Sequence, residues 1–178
     1  MSALLPVLSP EVIQKRVADL AQRISEDYKD RDLLLVGVLK GAFIFMADLV
    51  RRLSIEVTVD FIGASSYGSE TVSCGTLTFT QALGADVRGK DVLLVEDIVD
   101  TGLTLSRLIA HLESLGARSV RVCAMIDKHE RRQQQVPVAY RGFRISEGFL
   151  VGYGLDYAER YRQLPGIYHL QFKAKGAP

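Results

Sequence analysis

Cysteine is scarce in this chain: Cys74 and Cys123 are the only two among 178 residues. That excludes a disulfide framework and points to a reducing compartment. An excess of either charge is also missing. The formal net charge is +1, so a nucleic-acid partner is not expected, and any basic site must be local. Long apolar runs are absent as well, since Lys40 interrupts LLLVGVLKGAFIFMADLV in its middle and no membrane span results. The N-terminal MSALLPVLSPEV offers neither the charged start nor the apolar stretch of a secretory leader. No repeat, low-complexity tract or linker occurs. What is present is ordinary for a globular protein, 48% hydrophobic and 24% charged, at a length that suits one buried core and is short for two. The expectation is one cytoplasmic domain over residues 1–178, with no membrane partner.

Helical and extended patterns alternate along the chain. SPEVIQKRVADLAQRISEDY predicts a helix, with Ser9 as N-cap, Pro10 at the first helical position and Glu11 in the first turn. Ile13, Val17, Leu20 and Ile24 share one face of it. LLLVGV, residues 33–38, is a continuous apolar run that fits a strand covered on both faces. AFIFMADLVRRL predicts a second helix, ending in two arginines where the helix dipole favours cations. IEVTVDFIG alternates as a strand does; LTFT, VLLVE, SVRVCAMI and FLVGYG are further strand candidates. LTLSRLIAHLESLG predicts a helix stopped by Gly116, and the Ser-, Gly- and Thr-rich residues 64–75 predict a loop. Such alternation implies an α/β fold, a mainly parallel twisted sheet flanked by helices. Right-handed crossovers then place any ligand along the edge where the strands end. The chain ends are expected to form a small hood there, the segment from Val136 onward folding back with the N-terminal helix.

The chemistry concentrates in VLLVEDIVDTGLTL, residues 92–105. VLLVE reads as a buried strand and TLSRLIAHL as a helix, leaving DIVDTGLT as the turn between them. Gly102 permits a sharp bend. The amides of residues 100–104 can then converge on an anion at the helix N-terminus, with the Thr101 and Thr104 hydroxyls adding donors. A capping turn with Asp100 or Thr101 as N-cap is the plainer alternative. Three acids beside an anion site need a reason. Neighbouring strand residues point to opposite faces, so Glu96 and Asp97 cannot clamp one metal together unless the strand bends. At a strand end, each can instead hold a sugar hydroxyl. A phosphorylated sugar satisfies both halves of the pattern. Competing fingerprints fail: no G-x-x-x-x-G-K-[ST] occurs, and GYGLDY lacks the third glycine of a dinucleotide site. His111, His129 and His169 show no ligand spacing, so no transition-metal site is expected.

VLLVEDIVDTGLTL resembles the phosphoribosyl-pyrophosphate signature of the type I phosphoribosyltransferases. VGVLKGAFIFMADL, VDFIGASSYG, MIDKHERR and FLVGYGLDYAERYRQLP are similar, in order and spacing, to the hypoxanthine-guanine branch of that family. The resemblance implies purine salvage: transfer of the phosphoribosyl group from 5-phosphoribosyl 1-pyrophosphate to a 6-oxopurine, with Mg²⁺ as cofactor, by a homodimer or homotetramer. It also implies the roles of residues. Glu96, Asp97, Thr101, Gly102, Leu103 and Thr104 would bind the 5′-phosphate and ribose. Lys40, Gly41 and Arg162 would bind pyrophosphate, around a cis peptide between residues 39 and 40. Ser66 and Tyr67 would form a lid that shuts water out. Lys128 would donate to the purine O6, Phe149 would stack on the ring, and Leu150 and Asp156 would offer backbone contacts. Asp156, with Glu96 and Asp97, would surround the metal, and Asp100 would act as base toward N7. Two positions depart from the pattern: Ala42 where many relatives have a second glycine, and Leu103 where relatives carry Lys. Read without the resemblance, Lys40, Lys128, Asp156 and Arg162 are ordinary solvated charges.

Overall fold

The structure, a computed structural model, describes residues 3–65 and 78–172. Strands β2 (Leu33–Leu39), β3 (Thr58–Ser65), β5 (Asp91–Val99), β6 (Ser119–Asp127) and β7 (Val138–Arg144) run parallel, and β4 (Thr78–Gln81) pairs antiparallel on the β3 edge. The six lie in the order β4-β3-β2-β5-β6-β7. β2 and the middle of β5 (Val92–Val95) and of β6 (Val122–Ile126) are apolar because both faces are covered there. Leu33, Leu35, Leu93 and Val95 pack on one face, with Phe45, Met46 and Leu49 of α2 (Phe43–Val50) and the stripe Ile13, Val17, Leu20 and Ile24 of α1 (Pro10–Asp27). Leu34, Val36, Val92 and Leu94 pack on the other, against Leu105, Leu108 and Leu112 of α3 (Leu103–Ser114). The Ser9 hydroxyl accepts from the Val12 amide at 3.4 Å, capping α1 as expected. Cys123 is buried in the first of these cores, and Cys74 lies outside the described residues.

Four local expectations change. β5 does not stop at Glu96 but continues to Val99, because its ladder with β6 runs on through Ile98↔Ile126 and Val99↔Asp127. Glu96 and Asp97 therefore sit inside a strand. The cap of α3 is neither Asp100 nor Thr101 but Gly102, at φ +80°, with no side-chain cap. β3 begins only at Thr58, leaving Ile55 and Val57 outside it. The hood also differs in make-up. It is a separate antiparallel sheet, β1-β9-β8, built from Ala3–Leu8, Ile167–Gln171 and Leu150–Val151. The chain ends do form it, but β7 belongs to the main sheet, and α1 packs on α2 and β7 instead.

Charge is buried at the opposite end of the sheet. Asp91, at the start of β5, is 1% exposed and pairs with the Arg118 guanidinium, the Arg31 guanidinium (3.6 Å) and the Ser119 hydroxyl (2.6 Å).

Candidate active site

Two adjoining cavities open where β2, β5 and β6 end and the hood begins. The first, about 240 Å³, is lined by Val38, Leu39, Gly41, Ala64 and the run Glu96–Gly102, together with Thr104 and Leu105. The second, about 230 Å³, is lined by Asp97, Ile98, Asp100, Lys128, Arg131 and, from the hood side, Gly148, Phe149, Leu150, Leu155 and Asp156. Each is smaller than the usual ~300–1,000 Å³ ligand site, and together they fall within that range. Asp97, Ile98 and Asp100 belong to both.

The first cavity ends on the turn that starts α3. Gly102 is required there: a Cβ would overlap the Gln134 carbonyl oxygen, and the positive φ disfavours other residues. Gly102 has no side chain to cap with, so beyond Leu103 the first amides of α3 are left for another acceptor. Leu103 does not line the cavity; its amide meets the Thr101 hydroxyl at 3.4 Å. Across the cavity, Gly41 is pressed so closely against the Asp97 carboxylate that a Cβ has no space. The Leu39–Lys40 peptide is cis, as expected. Ala42 has an ordinary αR backbone and is fully buried, so no second glycine is needed at that position.

Strand alternation would separate Glu96 from Asp97, yet both line the first cavity. Each carboxylate bends back to its own strand: the Asp97 amide donates to Glu96 at 3.2 Å, and the Ile98 amide to Asp97 at 2.8 Å. Burial, then the Asp97 charge, pushes the Glu96 carboxyl well above its ordinary range, and burial also raises Asp97. A buried and a half-buried acid held this close favour the approach of a cation or of hydroxyl donors. Among the described residues, no group of three or more His, Cys, Asp or Glu could hold a metal unaided. Hard oxygens in small number do suit Mg²⁺, which takes one or two carboxylates and completes its shell with water and substrate phosphates.

In the second cavity, Lys128 is nearly buried, its ammonium donating to the Gly148 carbonyl at 2.9 Å and pairing with Glu130 at 3.0 Å. Phe149 is exposed, with Tyr157 and Phe172 set edge-on to it at centroid distances of 5.6 and 6.2 Å. Lys40 and Arg162 line neither cavity. Lys40 pairs with Glu159 at 3.1 Å; Arg162 pairs with Asp156 at 2.9 Å and donates to the Gly154 carbonyl at 2.8 Å. Ser66 and Tyr67 lie outside the described residues.

Sequence reasoning missed Glu159, Arg131 and Arg132. Arg132 ties the floor together: it pairs with buried Asp127 at 2.6 Å and donates to the carbonyls of Val99 and Asp100. The arginine pair in MIDKHERR was the available signal, but nothing in its spacing names these acceptors.

Comparison with known proteins supplies the context. Residues 8–158 match the family described as phosphoribosyl transferase domain. The hypoxanthine phosphoribosyltransferase of Escherichia coli (strain K12) is 48% identical over 164 residues, covering 90% of this chain and 92% of that protein. The hypoxanthine-guanine phosphoribosyltransferase of Mycobacterium avium is 47% identical over 167 residues, covering 90% and 82%. Among solved structures, a hypoxanthine phosphoribosyltransferase from Staphylococcus aureus superposes with a TM-score of 0.88 at 38% identity, covering 93% of this chain and 90% of that one.

Proposed function

The chain belongs to the phosphoribosyl transferase family, and on that premise we propose its reaction and the residues that perform it. It transfers the 5-phosphoribosyl group of 5-phosphoribosyl 1-pyrophosphate to N9 of hypoxanthine or guanine, giving IMP or GMP and pyrophosphate, a step of purine salvage. One observation carries the assignment of the site: the anion-binding turn and the aromatic, cationic purine wall share Asp97, Ile98 and Asp100, so two substrates meet at those residues.

The 5′-phosphate rests on the amides and hydroxyls of residues 101–104, where the helix dipole favours an anion. Glu96 and Asp97 hold the ribose hydroxyls. The Gly41 amide, Lys40 and Arg162 take the pyrophosphate, the two cations giving up Glu159 as their counter-ion. Bound Mg²⁺ would neutralise charge on the leaving pyrophosphate, with Asp156, Glu96 and Asp97 as the residues that hold it. As the C1–O bond breaks, the ribose becomes positive, and the fixed acids below it stabilise that charge without reorganising. Phe149 stacks on the purine while the Leu150 and Asp156 backbones meet its edge. Lys128 donates to O6, and a 6-amino base would face a donor with a donor. Asp100 takes the N7 proton. The protein acts as one domain in the cytoplasm, as a homodimer or homotetramer; among the described residues, no helix is long and apolar enough to cross a membrane.

Pyrophosphate release, measured by a coupled assay with hypoxanthine, guanine, xanthine and adenine, tests this. Release is expected to require Mg²⁺ and a 6-oxopurine. Equal release with adenine, or release that ignores the base, would sink it.

A further inference from the structure

Most charged side chains along the second cavity are paired: Lys128 with Glu130, Arg131 with Asp100 at 2.7 Å, and Asp156 with Arg162. The aromatic group at its hood wall is not explained by the roles assigned above. Phe149 lines the cavity, and two rings that do not line it, Tyr157 and Phe172, stand against Phe149. We propose that Phe172 is a positioning residue for the purine: with Tyr157, it holds the Phe149 ring in the orientation that stacks on the base. This rests on the assignment of Phe149 as the stacking residue.

Core packing does not account for the group. Phe149, Tyr157 and Phe172 are 46%, 43% and 56% exposed, and none belongs to either hydrophobic core. A half-exposed phenylalanine with no core around it is free to turn, and its terminal torsion is broad. Stacking on a flat base needs one ring plane. Here three rings close on one another: Phe149 and Tyr157 at a centroid distance of 5.6 Å and 88°, Phe149 and Phe172 at 6.2 Å and 69°, Tyr157 and Phe172 at 5.1 Å and 63°. All three distances fall within the ~4.5–7 Å at which steeply tilted rings attract. Rotation of any one ring disturbs two contacts.

The backbone brings the rings together from separate segments. Phe149 precedes β8, Tyr157 lies beyond it, and Phe172 is the first residue past β9. The Leu170 amide donates to the Phe149 carbonyl at 2.8 Å, and β8 and β9 pair through Leu150↔His169. Phe172, two residues beyond Leu170, therefore comes up beside Phe149 as a diagonal neighbour across the two strands, a separation that aromatic side chains span. Tyr157 is tied at its own turn, where it and Arg160 exchange backbone hydrogen bonds of 3.1 Å. Tyr157 adjoins Asp156, which already has a role in the site, so Phe172 is the residue to change.

The test is steady-state nucleotide formation from hypoxanthine and 5-phosphoribosyl 1-pyrophosphate with Mg²⁺. Phe172→Ala should raise KM for hypoxanthine about fivefold, since ordering of the freed Phe149 side chain is then deferred to binding. The kcat and the KM for 5-phosphoribosyl 1-pyrophosphate should stay within about twofold of the parent. Phe172→Tyr should restore the parent KM, whereas Phe172→Leu, apolar but without a ring, should not. In a Phe149→Ala background, Phe172→Ala should add no further loss, because no ring is left to hold. Phe149→Ala alone tests the stacking: a parent-like KM for hypoxanthine removes that assignment and takes the positioning role with it. If Phe149→Ala raises that KM and Phe172→Ala does not, only the positioning role fails. Full rescue by Phe172→Leu, or an equal loss toward 5-phosphoribosyl 1-pyrophosphate, overturns it in favour of apolar cover for the hood. A changed subunit number for Phe172→Ala in size-exclusion chromatography overturns it in favour of a contact between copies.

Discussion

At position 41 a single hydrogen separates the backbone from the Asp97 carboxylate. Gly41→Ala must move either the loop or the acid, and both belong to the same cavity. The expected result is at least a tenfold drop in kcat/KM for 5-phosphoribosyl 1-pyrophosphate, equivalent to about 1.4 kcal/mol. Thermal melting should change little, because Gly41 lies at a surface turn and not in either core; a parent-like kcat/KM would refute the crowding. Residue identities in this region were legible from VLLVEDIVDTGLTL and its neighbours, since phosphate turns and acids use recognisable local patterns. Their mutual geometry was not. Alternation sends Glu96 and Asp97 apart, and only hydrogen bonds to their own strand bring both to one cavity. The Arg131–Asp100 contact depends on how two loops, 31 residues apart, dock, which no local spacing encodes.

Among the elements, β5 carries consequence at both ends, with the site acids at one and Asp91 at the other. The hydrogen bond from Arg118 holds the Asp91 carboxyl below its ordinary 3.8, against the opposing pull of burial. A carboxylate depressed in the folded state stabilises the protein above its unfolded pKa, and that stability is lost as pH falls through the folded value. Both guanidinium partners are about half exposed, so screening limits the effect. Asp91→Asn should cost about 1–2 kcal/mol near pH 7 in urea unfolding. The gap from the parent should close below about pH 4; a pH-independent gap would mean that shape, not charge, is what Asp91 supplies. β2, β5 and β6 were legible because the stretches covered on both faces, LLLVGV, VLLV and VCAMI, are continuous apolar runs. Of the candidate FLVGYG only Leu150–Val151 forms a strand, β8, and β9 carries the polar positions His169 and Gln171, so it gives no pattern that stands out from a loop.

At the scale of the whole molecule, the cleft takes one wall from the main sheet and the other from the hood. A ligand that spans it binds the folded chain alone, so 5-phosphoribosyl 1-pyrophosphate with Mg²⁺ at about a hundred times its Kd should add roughly 2.7 kcal/mol. For a chain of this size that is a rise of about 5–10 °C in Tm, measurable by differential scanning fluorimetry; no rise would mean that the folded chain does not bind this ligand. The hood joins residues far apart in sequence, for Ala3 registers with Gln171 and Leu4 with Leu170. On the ribosome, β1 emerges first and must wait for the last strand before any of its backbone is paired. Through that interval it is an unpaired apolar ribbon, a template for association with neighbouring nascent chains. Pro6, which has no amide hydrogen to offer, interrupts that template in its middle. The finished hood keeps β1 as an outer strand, so the same imino acid guards the folded protein against edgewise growth.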